Sequence, residues 1–263
     1  MNQHSIILIG GGNMGGAIAL RWQAAQPGSV HVVESNPERR TALHEAGITT
    51  HAALEDAPLA DAYLLAIKPQ QFAENAAALK HRMSEREPLL ISIMAGVPLS
   101  ELQAITPNAV RVMPNLPALI GESMSVLCAP ALAANQRQQL TDLFAHIGAV
   151  AWVEDEAQLH AVTAISGSGP GYVFAFMEAL QAASVAHGLS PELSRLLVAQ
   201  TLRGSALLAA ESEETFATLR AQVSSKGGTT EAALKSFAHH DLNGMVNQGV
   251  EAAAKRSAEL AKK

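Results

Sequence analysis

A single cysteine, Cys128, stands among 263 residues. It excludes an intrachain disulfide, and the apolar run 124–129 around it reads as a strand holding a buried, inert thiol in a reducing compartment. Positive charge is scarce too. Lys and Arg number 18 against 24 Asp and Glu, the net charge is -6, and no basic run is long enough to make a patch. A nucleic acid or an anionic membrane finds no field to hold it, so neither is expected as a partner. The amino-terminal stretch MNQHSIILIGGGNMGG lacks a basic leader and reaches glycine after a short apolar run, which argues against a signal peptide or membrane span. Together these absences point to the cytoplasm. Metal chemistry also lacks support, because the 10 histidines include the adjacent pair His239 and His240 but no clustered ligand spacing.

What is present is a globular chain, 48% apolar and 16% charged, long enough for two ordinary domains. Short Ile/Val/Leu runs at 5–9, 30–34, 62–67, 89–94, 110–113, 123–128 and 149–153 alternate with helical patterns. Such runs predict a mostly parallel α/β sheet buried on both faces over residues 1–154. From 155 to 263 the texture turns to Ala- and Leu-rich helices. One helix is well marked, with Ser190 as N-cap, Pro191 in the first position and Glu192 at the positive end of the dipole. Leu193, Leu196, Leu197, Leu207 and Leu208 share a face of it, while Leu202 and several alanines make other faces apolar. A helix apolar on more than one side needs extra partners, so these helices are expected to pack against a second subunit.

The segment Gly10-Gly11-Gly12-Asn13-Met14-Gly15 spells G-x-G-x-x-G between an expected strand and an expected helix. Its glycines allow a tight turn, close approach to a pyrophosphate and close helix packing, and the free amides at Asn13 to Gly15 meet the phosphates. A lone fingerprint of this kind is weak, but the second strand ending at Glu34 falls where a Rossmann unit requires it. Glu34 suits an adenosine ribose and would repel a 2'-phosphate. Ser35, Asn36, Arg39 and Arg40 follow at once and suit that phosphate, which favours NADP and leaves NAD open. Further motifs sit at expected strand ends: Ala66-Ile67-Lys68-Pro69, Ala95-Gly96-Val97 and Met113-Pro114-Asn115-Leu116-Pro117. Taken singly, Lys68 is an ordinary loop lysine and Asn115 ordinary turn chemistry. In the second half, Ser166-Gly167-Ser168-Gly169-Pro170-Gly171-Tyr172 opens a helix through about Ala183. Val223-Ser224-Ser225-Lys226-Gly227-Gly228-Thr229-Thr230-Glu231 lies between two helical patterns. There the glycines can end one helix with positive φ, a threonine can cap the next, and the amides of Gly228, Thr229 and Thr230 can seat a small carboxylate.

In order along the chain, GGGNMGGAI, AIKP, AGV, MPNLP, SGSGPGY and VSSKGGTT closely resemble the pyrroline-5-carboxylate reductase family. The last two motifs carry most of the specificity. The resemblance implies a Rossmann domain followed by a helical dimerisation domain, and reduction of 1-pyrroline-5-carboxylate to L-proline by NAD(P)H, the last step of proline biosynthesis. It implies cofactor contacts at Gly10, Gly12, Asn13, Met14, Gly15, Ser35, Asn36, Ala66, Lys68, Pro69, Ala95 and Asn115. It implies substrate contacts at Ser225, Gly228, Thr229 and Thr230, with Thr230 catalytic through a hydrogen bond to the ring nitrogen. Glu156 and Glu213 match acidic residues near the family's substrate site. Lys226 departs from the pattern, standing where the family usually has proline. A dehydrogenase of the β-hydroxyacid type is the competing enzyme, but it calls for a lysine after the glycine-rich segment that SGSGPGYVFAF does not supply. A non-enzymatic NADP sensor that kept the fold is the competitor of another class.

Overall fold

A computed structural model describes residues 5–84 and 87–261. Packing divides the chain into two compact units, Met1–Pro170 with Ala252–Lys263, and Gly171–Glu251.

The first unit is built on eight strands: β1 (Ile6–Ile9), β2 (Val30–Val33), β3 (Thr49–His51), β4 (Ala62–Leu65), β5 (Leu89–Ser92), β6 (Ala109–Met113), β7 (Ser123–Cys128) and β8 (Gly148–Val153). They form one sheet in the order β3-β2-β1-β4-β5-β6-β7-β8. Every neighbouring pair is parallel except β6 with β7. The helices of this unit are α1 (Asn13–Ala25), α2 (Pro37–Glu45), α3 (Phe72–Met83), α4 (Leu99–Gln103), α5 (Ala134–Ala145) and α6 (Gln158–Val162). Alternate residues of one strand enter different cores. Ile6 and Leu8 pack with Trp22, Leu64 and Phe144, whereas Ile7 and Ile9 pack with Tyr63, Leu79 and Leu90. Both sheet faces are therefore buried, which is why the central strands read as continuous apolar runs. The three-residue edge strand β3, Thr-Thr-His, carries no such run and is not marked in the sequence pattern.

From β1 the chain builds outward to β2 and β3, then crosses back to place β4 on the other side of β1. That reversal is the topological switch point, and the carboxyl ends of β1, β2, β4, β5 and β6 share the edge on which it opens.

The second unit contains helical segments only among the described residues: α7 (Gly169–Ala186), α8 (Pro191–Glu211), α9 (Phe216–Gln222), α10 (Thr229–His239) and α11 (Leu242–Leu260), of which α7 and α11 begin or end in the first. The Ser190 side chain accepts from the Leu193 amide at 3.2 Å and Pro191 takes the first helical position, as the sequence pattern predicts for α8. Leu193, Leu196, Leu197, Leu207 and Leu208 are bare in the single chain, Leu196 at 65% and Leu208 at 58% exposure.

The division by packing falls after Pro170, beyond the change in sequence texture near residue 155. Leu159 of α6 explains the difference: it is buried against Val126 and Cys128 of β7 and so ties its helix to the sheet. The end of α11 also belongs to the first unit, where Ser257 Oγ lies 3.0 Å from His160 Nδ1. No helix among the described residues is long and apolar enough to cross a membrane.

Candidate active site

The glycine turn joins β1 to α1. Gly10 has φ of +103°, and a Cβ there would come 2.6 Å from the carbonyl oxygen of Ala66, at the end of β4. A Cβ on Gly15 would lie 2.0 Å from the Gly10 carbonyl oxygen. Any side chain at either position would push the two strand ends and the helix apart. Gly12 is the N-cap of α1 and offers no side chain to the first-turn amides, so the N–H groups of Asn13, Met14 and Gly15 have no acceptor within the helix. A cradle that a Cβ would fill, lined by outward amides at a helix start, fits the pyrophosphate of a dinucleotide.

Glu34 is turned inward. Its Oε2 accepts from the Gly11 amide at 2.9 Å, its Oε1 accepts from the Asn36 amide at 2.8 Å, and only 7% of the side chain is exposed. It therefore acts as a brace between the phosphate turn and the loop after β2, not as the open ribose acceptor that its position suggests. Asn36 Oδ1 caps α2 through the Arg39 amide at 3.0 Å. Arg40 donates to the carbonyls of Glu34 and Ser35, both at 2.8 Å, which commits it to the loop backbone. Ser35 is exposed beside them.

Along the same edge, Ala66 is half-buried, and Lys68, Pro69 and Ala95 are exposed. Asn115 lies at this edge too, but its side chain is engaged within the protein. Nδ2 donates to Ser166 O at 3.1 Å and Oδ1 accepts from the Met124 amide at 3.0 Å. The Asn115 side chain is thus a clasp between the end of β6 and a π-helical turn, Thr163–Gly167, that ends in the first two residues of the SGSGPGY motif. The motif's small residues serve that approach, since a Cβ on Gly167 would lie 2.5 Å from Met113 Cε.

In the second unit, Gly227 takes positive φ, +76°, and α10 starts at Thr229 with Gly228 as its N-cap. Two expectations change here. Gly228 is extended rather than left-handed, and it caps the helix where a threonine was expected. Its amide donates to Ser225 O at 3.0 Å and so closes the turn, which leaves the first-turn amides of Thr229 and Thr230 facing outward. Glu231, which closes the motif, also braces this turn. Its Oε2 accepts from the Gly227 amide at 2.6 Å and its Oε1 pairs with Lys235 Nζ at 3.0 Å. Those bonds, the Gly227 amide first, hold its carboxyl below the usual range. A glutamate at the third helical position, as in a capping box, was the available signal.

Glu156 is not a free carboxylate. Oε1 accepts from Arg111 Nη1 at 2.6 Å and from the Leu99 amide at 2.7 Å, so a strand, a helix start and the turn before α6 meet on one oxygen. Glu213 is exposed in the loop between α8 and α9. Cys128 is fully buried, and that burial pushes its thiol up, which leaves it unreactive.

The family model for pyrroline-5-carboxylate reductase dimerisation matches residues 156–260, and that described as NADP oxidoreductase, coenzyme F420-dependent, matches 5–96. The pyrroline-5-carboxylate reductase of Haemophilus influenzae is 40% identical over 98% of this chain and 98% of the relative. The chain belongs to the pyrroline-5-carboxylate reductase family. The Pseudomonas aeruginosa member is 39% identical over 99% of this chain and 98% of its own. Among solved structures, the pyrroline-5-carboxylate reductase of Coxiella burnetii superposes with a TM-score of 0.93 at 33% identity, covering 100% of both chains. The Plasmodium falciparum enzyme, solved with NADP bound, gives 0.86 at 29% identity over 99% of both. Family membership makes the chain an NAD(P)-dependent oxidoreductase with a Rossmann-type domain and a helical dimerisation domain.

Proposed function

We propose that this chain reduces 1-pyrroline-5-carboxylate to L-proline with NADPH, the last step of proline biosynthesis, and that its residues divide the work as follows. The substrate is a cyclic imine with a carboxylate. Reduction requires hydride on the imine carbon and a proton on nitrogen. Bound NADPH supplies the hydride. Amides of Asn13, Met14 and Gly15 would hold its pyrophosphate, Ser35 and Asn36 would hold the adenosine ribose, and Ala66, Lys68, Pro69, Ala95 and the Asn115 backbone at the remaining strand ends would hold the rest.

The bare amides of Thr229 and Thr230 at the start of α10 carry the substrate assignment. They suit a carboxylate by hydrogen bonding and by the helix dipole. Ser225 and Gly228 shape that seat, since Gly228 donates to Ser225 and a Cβ on it would meet Ser225 Oγ at 2.6 Å. The Thr230 hydroxyl donates to, or accepts from, the ring nitrogen according to its protonation. Threonine is too weak an acid to protonate the imine alone, so the proton arrives on the substrate beforehand or through a water held by Thr230. Glu213 favours the cationic imine, whereas Glu156 acts on the fold through Arg111. Functionally, residues 1–154 bind the dinucleotide and residues 155–263 bind substrate and form a homodimer through the bare face of α8. The working compartment is the cytoplasm, and NAD serves as a poorer substitute for NADP.

Loss of NADPH absorbance on adding 1-pyrroline-5-carboxylate, with L-proline as product, is the expected result. NADPH that stays intact while bound would favour the sensor reading and overturn this one.

A further inference from the structure

We infer that Arg39 alone of the two adjacent arginines selects a 2'-phosphorylated adenosine, and that Glu34, the residue whose charge would exclude such a phosphate, is turned inward and paired by the fold. The inference rests on the dinucleotide lying on the Gly10–Gly15 turn, and it is independent of which imine is reduced. Three observations carry it.

The first is that Glu34 has no outward role left. Both of its oxygens accept backbone amides, from Gly11 and Asn36, and the carboxylate is 7% exposed. A ribose diol would need those acceptors. The second is that Arg40 is spent, because its guanidinium donates to the Glu34 and Ser35 carbonyls. The third is where Arg39 stands. Its backbone is fixed by the Asn36 cap, and its side chain is 57% exposed with Nη1 3.8 Å from Glu34 Oε2. The same Nη1 lies 3.9 Å from where a Cβ on Gly12 would be. One guanidinium therefore stands next to the phosphate turn and pairs with the buried Glu34 carboxylate, on the same loop that carries the exposed Ser35 hydroxyl. Guanidinium with a hydroxyl matches a phosphate dianion. Removing Arg39 takes away the donor and uncovers the Glu34 charge, so both effects weigh against the phosphate and little against a plain ribose.

Calorimetry on the full chain tests this with NADP+ and NAD+, and with adenosine 2',5'-bisphosphate against 5'-AMP. Arg39→Gln is expected to weaken NADP+ binding about 10- to 100-fold and NAD+ binding by less than about 3-fold, the span of one charge-assisted contact. Preference for the bisphosphate over 5'-AMP should shrink in parallel, and Arg39→Lys should retain part of it. Arg40→Gln should weaken both dinucleotides together, since it loosens the loop itself. Equal losses or no loss for the two dinucleotides in Arg39→Gln would overturn the inference, as would a wild-type chain without preference for NADP+. If NADP+ binds with this selectivity but 1-pyrroline-5-carboxylate is not reduced, the substrate assignment falls and the role of Arg39 stands.

Discussion

Arg111 and Glu156 meet at 2.6 Å, with 11% and 33% of their side chains exposed, and the pair joins β6 to the turn that leads into α6. The same Glu156 oxygen receives the Leu99 amide that starts α4. Removing the carboxylate strands a nearly buried guanidinium. Glu156→Ala should therefore lower stability by about 2–3 kcal/mol, less than for a fully buried pair because Glu156 keeps some contact with water. Urea unfolding checks it through a lower midpoint at unchanged slope, with turnover per folded molecule largely kept.

Thr230→Ala should reduce kcat roughly 10- to 1000-fold, the range for a positioned hydrogen-bonding group near the reacting atoms. Thr230→Ser should recover much of the loss, because it restores the hydroxyl. Steady-state kinetics decide it, and an unchanged kcat in the alanine variant would remove Thr230 from the chemistry.

His31 Nδ1 lies 3.0 Å from His51 Nε2 across β2 and β3, with the rings stacked. Burial, and then the charge of His51, lower the His31 pKa. The unfolded chain then binds the proton more readily than the folded one. Stability from the neutral ring is present above about pH 6.5 and is lost as pH falls from there through the lower folded pKa. Chemical denaturation at a series of pH values should show that decline in the wild type and a flatter profile in His31→Asn.

The bare leucines of α8 predict their own test. Leu196→Glu with Leu208→Glu should convert a dimer at micromolar concentration into monomer, since charges would face the apolar contact that the second subunit makes. Sedimentation velocity reads the change directly. A wild-type chain that sediments as monomer would refute the dimer.

The central strands, the glycine turn and the start of α8 were legible because each rests on local chemistry: apolar runs, missing side chains, and a Ser-Pro pair. What escaped the sequence depends on partners far away in it. β3 is three polar residues whose strand character comes only from pairing with β2. Glu34 has the residue type for a ribose contact, and only the distance to the Gly11 amide shows that it faces inward. Asn115 looks like turn chemistry until Ser166 arrives beside it. At the loop before α10 the pattern placed the helix start to within a residue, but that Gly228 and not a threonine caps it goes with the turn closed by the bond from the Gly228 amide to Ser225 O.

The tail of α11 has a consequence for how the chain is made. Leu260 O packs where a Cβ on Gly96 would come 2.8 Å from it, and Ser257 reaches His160, so the sheet unit counts residues from Ala252 onward among its own. Nascent domains ordinarily close as they emerge, amino-terminal first. Here the unit begun first is finished last, and a ribosome paused after Glu251 would hold a sheet unit still without the contacts that Ser257 and Leu260 bring to it.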